Sequence, residues 1–248
     1  VVDDDRPIRL VERDAVDAKV LLDELASTLI ETDGLVCDTR IMRADPFAGI
    51  NEAVNEIRPD LLILGPHRRQ LLKDAFVGTT AERTIRDVNC PVLMVNTLPS
   101  RAYKRALLTT DLSDGARTGM DHFQRLQPAM GSDAAIVYVF ETPALRLAMA
   151  DTPSRENRED YIRALRSNAQ RKLAAQVRTI NIQRLNQIVR PEEVSAAHEI
   201  MATAQEIQAD VIVMSTHGRN RVARWILGSV TEQVLQASSF DVLTVPGI

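Results

Sequence analysis

The sequence predicts an α/β protein built from two tandem, doubly wound parallel-sheet domains, and three observations predict it. Short β-branched or leucine-rich runs such as Leu61–Leu64 and Val211–Met214 alternate with longer segments of helical apolar spacing. That order gives parallel strands joined by right-handed crossovers. Residues 58–97 align without a gap on residues 208–247, placing Asp60 on Asp210, His67 on His217, Arg69 on Arg219, Gly78 on Gly228, Glu82 on Glu232 and Val92-Leu93 on Val242-Leu243. A repeat of domain size means two similar domains rather than a solenoid. Finally, 248 residues with 45% hydrophobic content suffice for a core in each half. The domains are expected at 1–97 and 104–248, joined by a short proline-bearing linker at 98–103.

In chain order, Val1-Val2-Asp3-Asp4-Asp5 reads as the end of a strand, matching Ile136–Glu141 in the second half. By that comparison roughly 35–40 residues, carrying a first strand and helix, are expected to precede Val1, and the absence of an initiator Met agrees. Residues 12–33 place Val16, Val20, Leu21, Leu25 and Leu29 near helical spacing, with Gly34 as the stop. Leu35–Met42 alternates as a strand. Pro46–Ile57 reads as a helix closed by Arg58-Pro59, and Leu61–Leu64 as a short, fully apolar strand. Gly65-Pro66-His67-Arg68 is a loop, Thr79 caps a helix running through Asp87, and Pro91–Asn96 is the last strand of the first half.

The second half starts with the strand Arg105–Thr110, which ends in Asp111-Leu112-Ser113-Asp114-Gly115. A helix over Ala116–Leu126, with Gly131 behind it, and the strand Ala134–Phe140 follow. Pro143–Glu159 is polar and turn-rich, suited to a lid or a flexible excursion. Tyr161–Thr179 is a basic helix (Arg163, Arg166, Arg171, Lys172, Arg178) that reads as a solvated face. Ile182–Val189 is a poorly patterned strand and Glu192–Gln208 a helix. The strand Val211–Met214 then breaks into Ser215-Thr216-His217-Gly218. Gly228-Ser229 opens a helix carrying Val230, Val234 and Leu235, and Asp241–Val245 is the last strand.

Composition narrows the function. A formal charge of −4, Lys and Arg spread along the chain and only 4% aromatic residues argue against nucleic-acid binding. Cys37 and Cys90 belong to no ligand pattern, so no metal site or disulfide framework is expected, and both read as reduced core residues near strands. No run of about 18 apolar residues and no signal core occurs, which predicts a soluble, cytoplasmic protein.

The chemistry concentrates at 210–231. Gly218 is able to bring bare backbone close to a ligand, and Gly228-Ser229 places unpaired N–H groups and a hydroxyl at a helix start. Both features favour an anion such as phosphate. Taken singly they read equally as a turn and a cap. Together the spacing resembles the G-x2-G-x9-G-[S/T] loop of the universal stress proteins that bind ATP, with Ser215 standing where the family's first glycine would be. Thr110-Asp111-Leu112-Ser113 is similar to the Thr-Asp-x-Ser that ends the family's first strand, whose aspartate holds the adenine.

The resemblance covers the whole chain. It implies the adenine nucleotide alpha hydrolase-like fold, strand order 3-2-1-4-5, with ligand between the ends of the first and fourth strands. It also implies ATP or another adenine nucleotide as cofactor, with Mg²⁺ an optional companion. Adenine would lie near Asp111, beside Thr110, and near Val139; ribose near Met214 and Ser215; phosphates along Gly218, Arg219, Gly228, Ser229, Val230 and Thr231. Asp111 equally suits a helix cap, and His217 equally suits bonding the loop backbone or donating to a phosphate.

No catalytic set emerges. Residues 215–231 contain no acidic residue, and no G-x-x-x-x-G-K-[ST], G-x-S-x-G or H-E-x-x-H occurs. Binding with very slow hydrolysis at most is the expectation, rather than a hydrolase or nucleotidyl transferase. The rival reading is a nucleotide-free scaffold of the same fold, favoured by Ser215 in place of glycine. The first domain, with Arg68 at the position of Gly218, is expected to hold no nucleotide. The two domains are expected to form an intramolecular pseudo-dimer through Pro91–Asn96 and Asp241–Val245, the last strands that commonly make this contact in the family, and homodimerisation is left open.

Overall fold

The computed structural model describes residues 8–65, 79–98, 101–130, 133–142, 155–178, 180, 182, 185–216 and 227–246. They form two compact units that divide between Pro59 and Asp60. The first holds α1 (Ile8–Asp33) and α2 (Pro46–Ile57). Gly34 ends α1 with φ of 68°, donating its N–H to the Ile30 carbonyl at 3.1 Å while Leu35 N–H reaches the Leu29 carbonyl at 3.2 Å. Glycine adopts that left-handed backbone at no steric cost. α2 begins on Asp45, whose Oδ1 accepts the N–H groups of Phe47 and Ala48. Pro46 follows where a missing N–H is harmless, and left-handed Arg58 closes the helix with its N–H on the Val54 carbonyl.

Two expectations change in this unit. Leu35–Met42 is not a strand: its alternation suits one, but a strand needs a ladder, and no strand lies beside it among the described residues of the unit. The apolar face of α1 is also uncovered. Val16, Val20, Leu21, Leu25 and Leu29 are 37–62% exposed, since the described part of the unit, two helices and an irregular segment, offers too little apolar surface to cover the stripe. The strand expected at residues 1–5 lies outside the described residues.

The second unit runs through β1 (Leu62–Leu64), α3 (Thr79–Asp87), β2 (Val92–Met94), β3 (Arg105–Thr110), α4 (Asp114–Met130), β4 (Asp133–Phe140), α5 (Arg155–Val177), β5 (Leu185–Pro191), α6 (Ala196–Glu206), β6 (Val211–Ser215), α7 (Ser229–Ala237) and β7 (Asp241–Val245). Its seven strands form one sheet in the order β1-β2-β7-β6-β3-β4-β5. Counted within the second half alone, β3 to β7 stand in the order 3-2-1-4-5. Every pairing is parallel except β2 with β7, where Leu93 lies opposite Leu243 in antiparallel register.

Leu107, Leu108, Ile136, Ile212 and Leu243 on the strands, with Phe123 on α4 and Leu173 on α5, are almost wholly removed from water. Each such side chain contributes about 1.5–3 kcal/mol of transfer free energy. Helix bounds differ from expectation at the ends. α5 starts at Arg155, inside the stretch read as turn-rich, whose residues 143–154 lie outside the described set. α6 starts late, at Ala196, because Ser195 caps it by accepting the His198 N–H. Cys37 and Cys90 are free and half-buried rather than core residues. Among the described residues no helix is long and apolar enough to cross a membrane.

Two carboxylates hold the segment between β2 and β3. Buried Asp241 accepts the N–H groups of Asn96 and Thr97 through Oδ1, at 2.7 and 2.9 Å, and the Tyr103 hydroxyl through Oδ2 at 2.6 Å. Asp210 accepts the Arg101 guanidinium at 3.0 Å and the N–H groups of Lys104 and Arg105 at 2.7 and 2.8 Å.

Candidate functional site

β3 and β6 lie side by side, then leave the sheet toward α4 and α7, and a cavity of about 900 Å³ opens at their carboxyl ends. This is where strand order reverses, the place in a doubly wound sheet that takes a ligand. Thr110, Asp111, Val139, Met214, Ser215, Gly228, Ser229, Val230 and Thr231 all line it. His217, Gly218 and Arg219 lie outside the described residues.

On the α4 side the turn is wound tightly. Thr110 Oγ1 accepts the Leu112 N–H at 2.9 Å and donates to Gln176 Oε1 on α5 at 2.8 Å. Asp111 Oδ1 accepts the Ser113 N–H at 3.0 Å. Between them Leu112 is left-handed, with φ of 67°, a conformation that costs a bulky residue of order 1–3 kcal/mol and that the flanking bonds must hold. The cap of α4 is Ser113, whose Oγ accepts the Ala116 N–H at 3.2 Å. Of the two readings of Asp111, the capping role thus falls to its neighbour, and Asp111 braces the turn while lining the cavity.

On the other side, Ser215 Oγ donates to the Gly115 carbonyl at 3.2 Å, tying β6 to α4. The Thr216 N–H reaches the Val245 carbonyl, and the Gly228 N–H reaches the Thr216 carbonyl at 3.1 Å, which ties the start of α7 to the end of β6. The Thr231 hydroxyl donates to the Ser215 carbonyl at 3.1 Å. Gly228 is the N-cap of α7 and supplies no side-chain acceptor. The next N–H groups, of Ser229, Val230 and Thr231, have no hydrogen-bond partner among the described residues.

Gly228 itself has φ of −60° and ψ of 138°, open to any residue. A Cβ there would meet Thr231 Oγ1 at 3.7 Å and the Thr216 carbonyl at 3.8 Å, ordinary contacts. Packing against the described residues therefore does not require glycine at this position.

Sequence reasoning did not find the wall made by α5, where Leu165, Asn168, Ala169 and Lys172 line the cavity. The signal was present: Leu165, Ala169, Lys172 and Gln176 recur at helical spacing on one face. Glu141, Glu192 and Glu232 also line the cavity. Among the described residues no group of three or more His, Cys, Asp or Glu side chains is placed to hold a metal ion.

The model of the universal stress protein family matches residues 3–96 and again 102–246. Universal stress protein MJ0577 of Methanocaldococcus jannaschii is 23% identical over 157 residues, covering 58% of this chain and 94% of that protein. A universal stress protein structure from Archaeoglobus fulgidus superposes with a TM-score of 0.66 at 19% identity, covering 100% of this chain and 84% of that one. A putative universal stress protein from Pseudomonas aeruginosa gives 0.62 at 19% identity, over 99% and 91% of the two chains. With two successive matches filling the chain and the expected strand order in the second half, the chain belongs to the universal stress protein family as a tandem member.

Proposed function

We propose that the second half binds ATP or another adenine nucleotide in the cavity beyond β3 and β6, in a regulatory or stress-protective role with little or no turnover. The start of α7 carries this reading. Three successive N–H groups without partners among the described residues face a cavity, and the helix dipole adds partial positive charge there. Glycine at 228, which packing against the described residues does not require, leaves that approach open. Ser215, the residue that departs from the family's loop, turns its hydroxyl onto the Gly115 carbonyl, which weakens the case that it blocks a ribose. Phosphoryl transfer needs a carboxylate-held metal beside the phosphates and a group that positions the nucleophile. Binding is the function this site supports, with any Mg²⁺ brought by the nucleotide.

Calorimetry on the full chain tests it. Each charge-assisted backbone bond to phosphate contributes about 1.5–3 kcal/mol, so Gly228→Val should weaken ATP binding at least about tenfold. Gly228→Ala should leave the melting temperature near the parent's. A parent protein that binds no adenine nucleotide, or a Gly228→Val variant that binds it as well as the parent does, removes the assignment. Turnover above about 1 s⁻¹ would overturn the binding reading.

A second reading, an interaction protein working without nucleotide, draws on the uncovered α1 stripe. We further propose that the β2–β7 pairing is the core of an intramolecular pseudo-dimer in which the first half is the structural partner. One nucleotide per chain is the stoichiometry expected.

A further inference from the structure

We propose that Lys172 on α5 is a specificity-determining residue of this cavity, contacting the phosphates of the bound ligand and favouring nucleotide over nucleoside. The inference rests on the nucleotide reading above. Four carboxylate residues, Asp111, Glu141, Glu192 and Glu232, line the cavity, and among the described lining residues Lys172 is the single cation. A polyanion entering such a space meets repulsion from the acids unless a cation offsets it. The α7 amides offset part of it from one wall, and Lys172 supplies a full charge from α5.

The lysine is also positioned and available. Its neighbours Ala169 and Leu173 are buried in the core, and Gln176, one turn further on, accepts the Thr110 hydroxyl at 2.8 Å. α5 is therefore fixed against the same β3 turn that carries Asp111. Lys172 itself is exposed and makes no ion pair or hydrogen bond among the described residues. A lysine held at a cavity wall without a carboxylate partner is suited to an anion from solution.

The test is calorimetry of the full chain with ATP, adenosine and inorganic tripolyphosphate, on the parent, Lys172→Ala and Lys172→Arg, with melting temperatures as the folding control. Because the group is exposed, the expected loss for Lys172→Ala is modest, roughly three- to tenfold for ATP and tripolyphosphate. Adenosine binding should be unchanged, and Lys172→Arg should restore most of the ATP affinity. If the parent binds ATP and Lys172→Ala binds it within twofold, or loses adenosine equally, this inference is wrong while the nucleotide reading stands. A parent that binds tripolyphosphate through Lys172 but not ATP keeps the anion role and removes the nucleotide reading. A parent that binds none of the three removes both.

Discussion

Gly119 shows how one missing methyl group positions the site. It lies inside α4, where glycine costs about 1 kcal/mol relative to alanine, yet a Cβ there would stand 2.8 Å from Val245 Cγ2 and 3.4 Å from Ser215 Cβ. Glycine lets α4 sit down on β6 and β7 next to the cavity. Gly119→Val should cost about 1–3 kcal/mol by overpacking, measured by denaturant unfolding, and should disturb Ser215 as well. Gly228 is the opposite case, a glycine with room around it, so its substitution separates binding from stability. Acid titration reads a third residue. Burial alone would raise the Asp210 pKa, but the N–H groups of Arg105 and Lys104 and the Arg101 guanidinium together hold it below the ordinary 3.8. A depressed carboxylate adds stability that is fully present above the unfolded pKa and is lost as pH falls through the folded one. Asp210→Asn should therefore lower stability at neutral pH by about 1–3 kcal/mol and flatten the acid limb below about pH 4 in a pH series of melts.

Among the elements, the described residues between β2 and β3 are held from two sides by Asp241 and Asp210. Burial, and then the adjacent Asp241 carboxylate, push the Tyr103 phenol well above its ordinary value. That group's contribution is present below about pH 10 and is lost as pH rises through the raised folded pKa. Tyr103→Phe should cost about 1–2 kcal/mol at neutral pH, and an equal melting temperature would show the bond to Asp241 to be dispensable. None of this was legible beforehand, since Asp210 and Asp241 look in sequence like any polar residue before a strand. What was legible rests on local chemistry. Asp45-Pro46 and Arg58-Pro59 bound α2 at the residues expected, Gly34 stops α1, and the apolar runs at 105–110 and 211–215 became central strands. The misreadings share a cause in tertiary context. Leu35–Met42 alternates like a strand but has no ladder among the described residues. Lys172 was counted with the solvated arginines of α5, because helical spacing alone does not say which face meets a cavity.

At the scale of the whole sheet, the β2–β7 seam joins the halves through backbone bonds and not merely a linker. Val92, Leu93 and Met94 pair with Thr244, Leu243 and Val242, and the Thr244 hydroxyl also donates to the Val92 carbonyl at 3.2 Å. Hydrogen exchange should find the Leu93 amide protected to the same degree as those of β7, since neither strand opens without breaking the other's ladder. Exchange at β2 faster by orders of magnitude would mean that the seam frays independently. The antiparallel sense of that one pairing also sets a direction. β1 and β2 point one way and β7, β6, β3, β4 and β5 the other, so the carboxyl ends of the two sets emerge at opposite rims. A doubly wound sheet receives ligands beyond its carboxyl ends, so the ends of β1 and β6 open toward opposite rims. A ligand at the carboxyl end of β6 therefore lies at the rim where β1 and β2 begin, so the first half would offer it strand starts rather than strand ends.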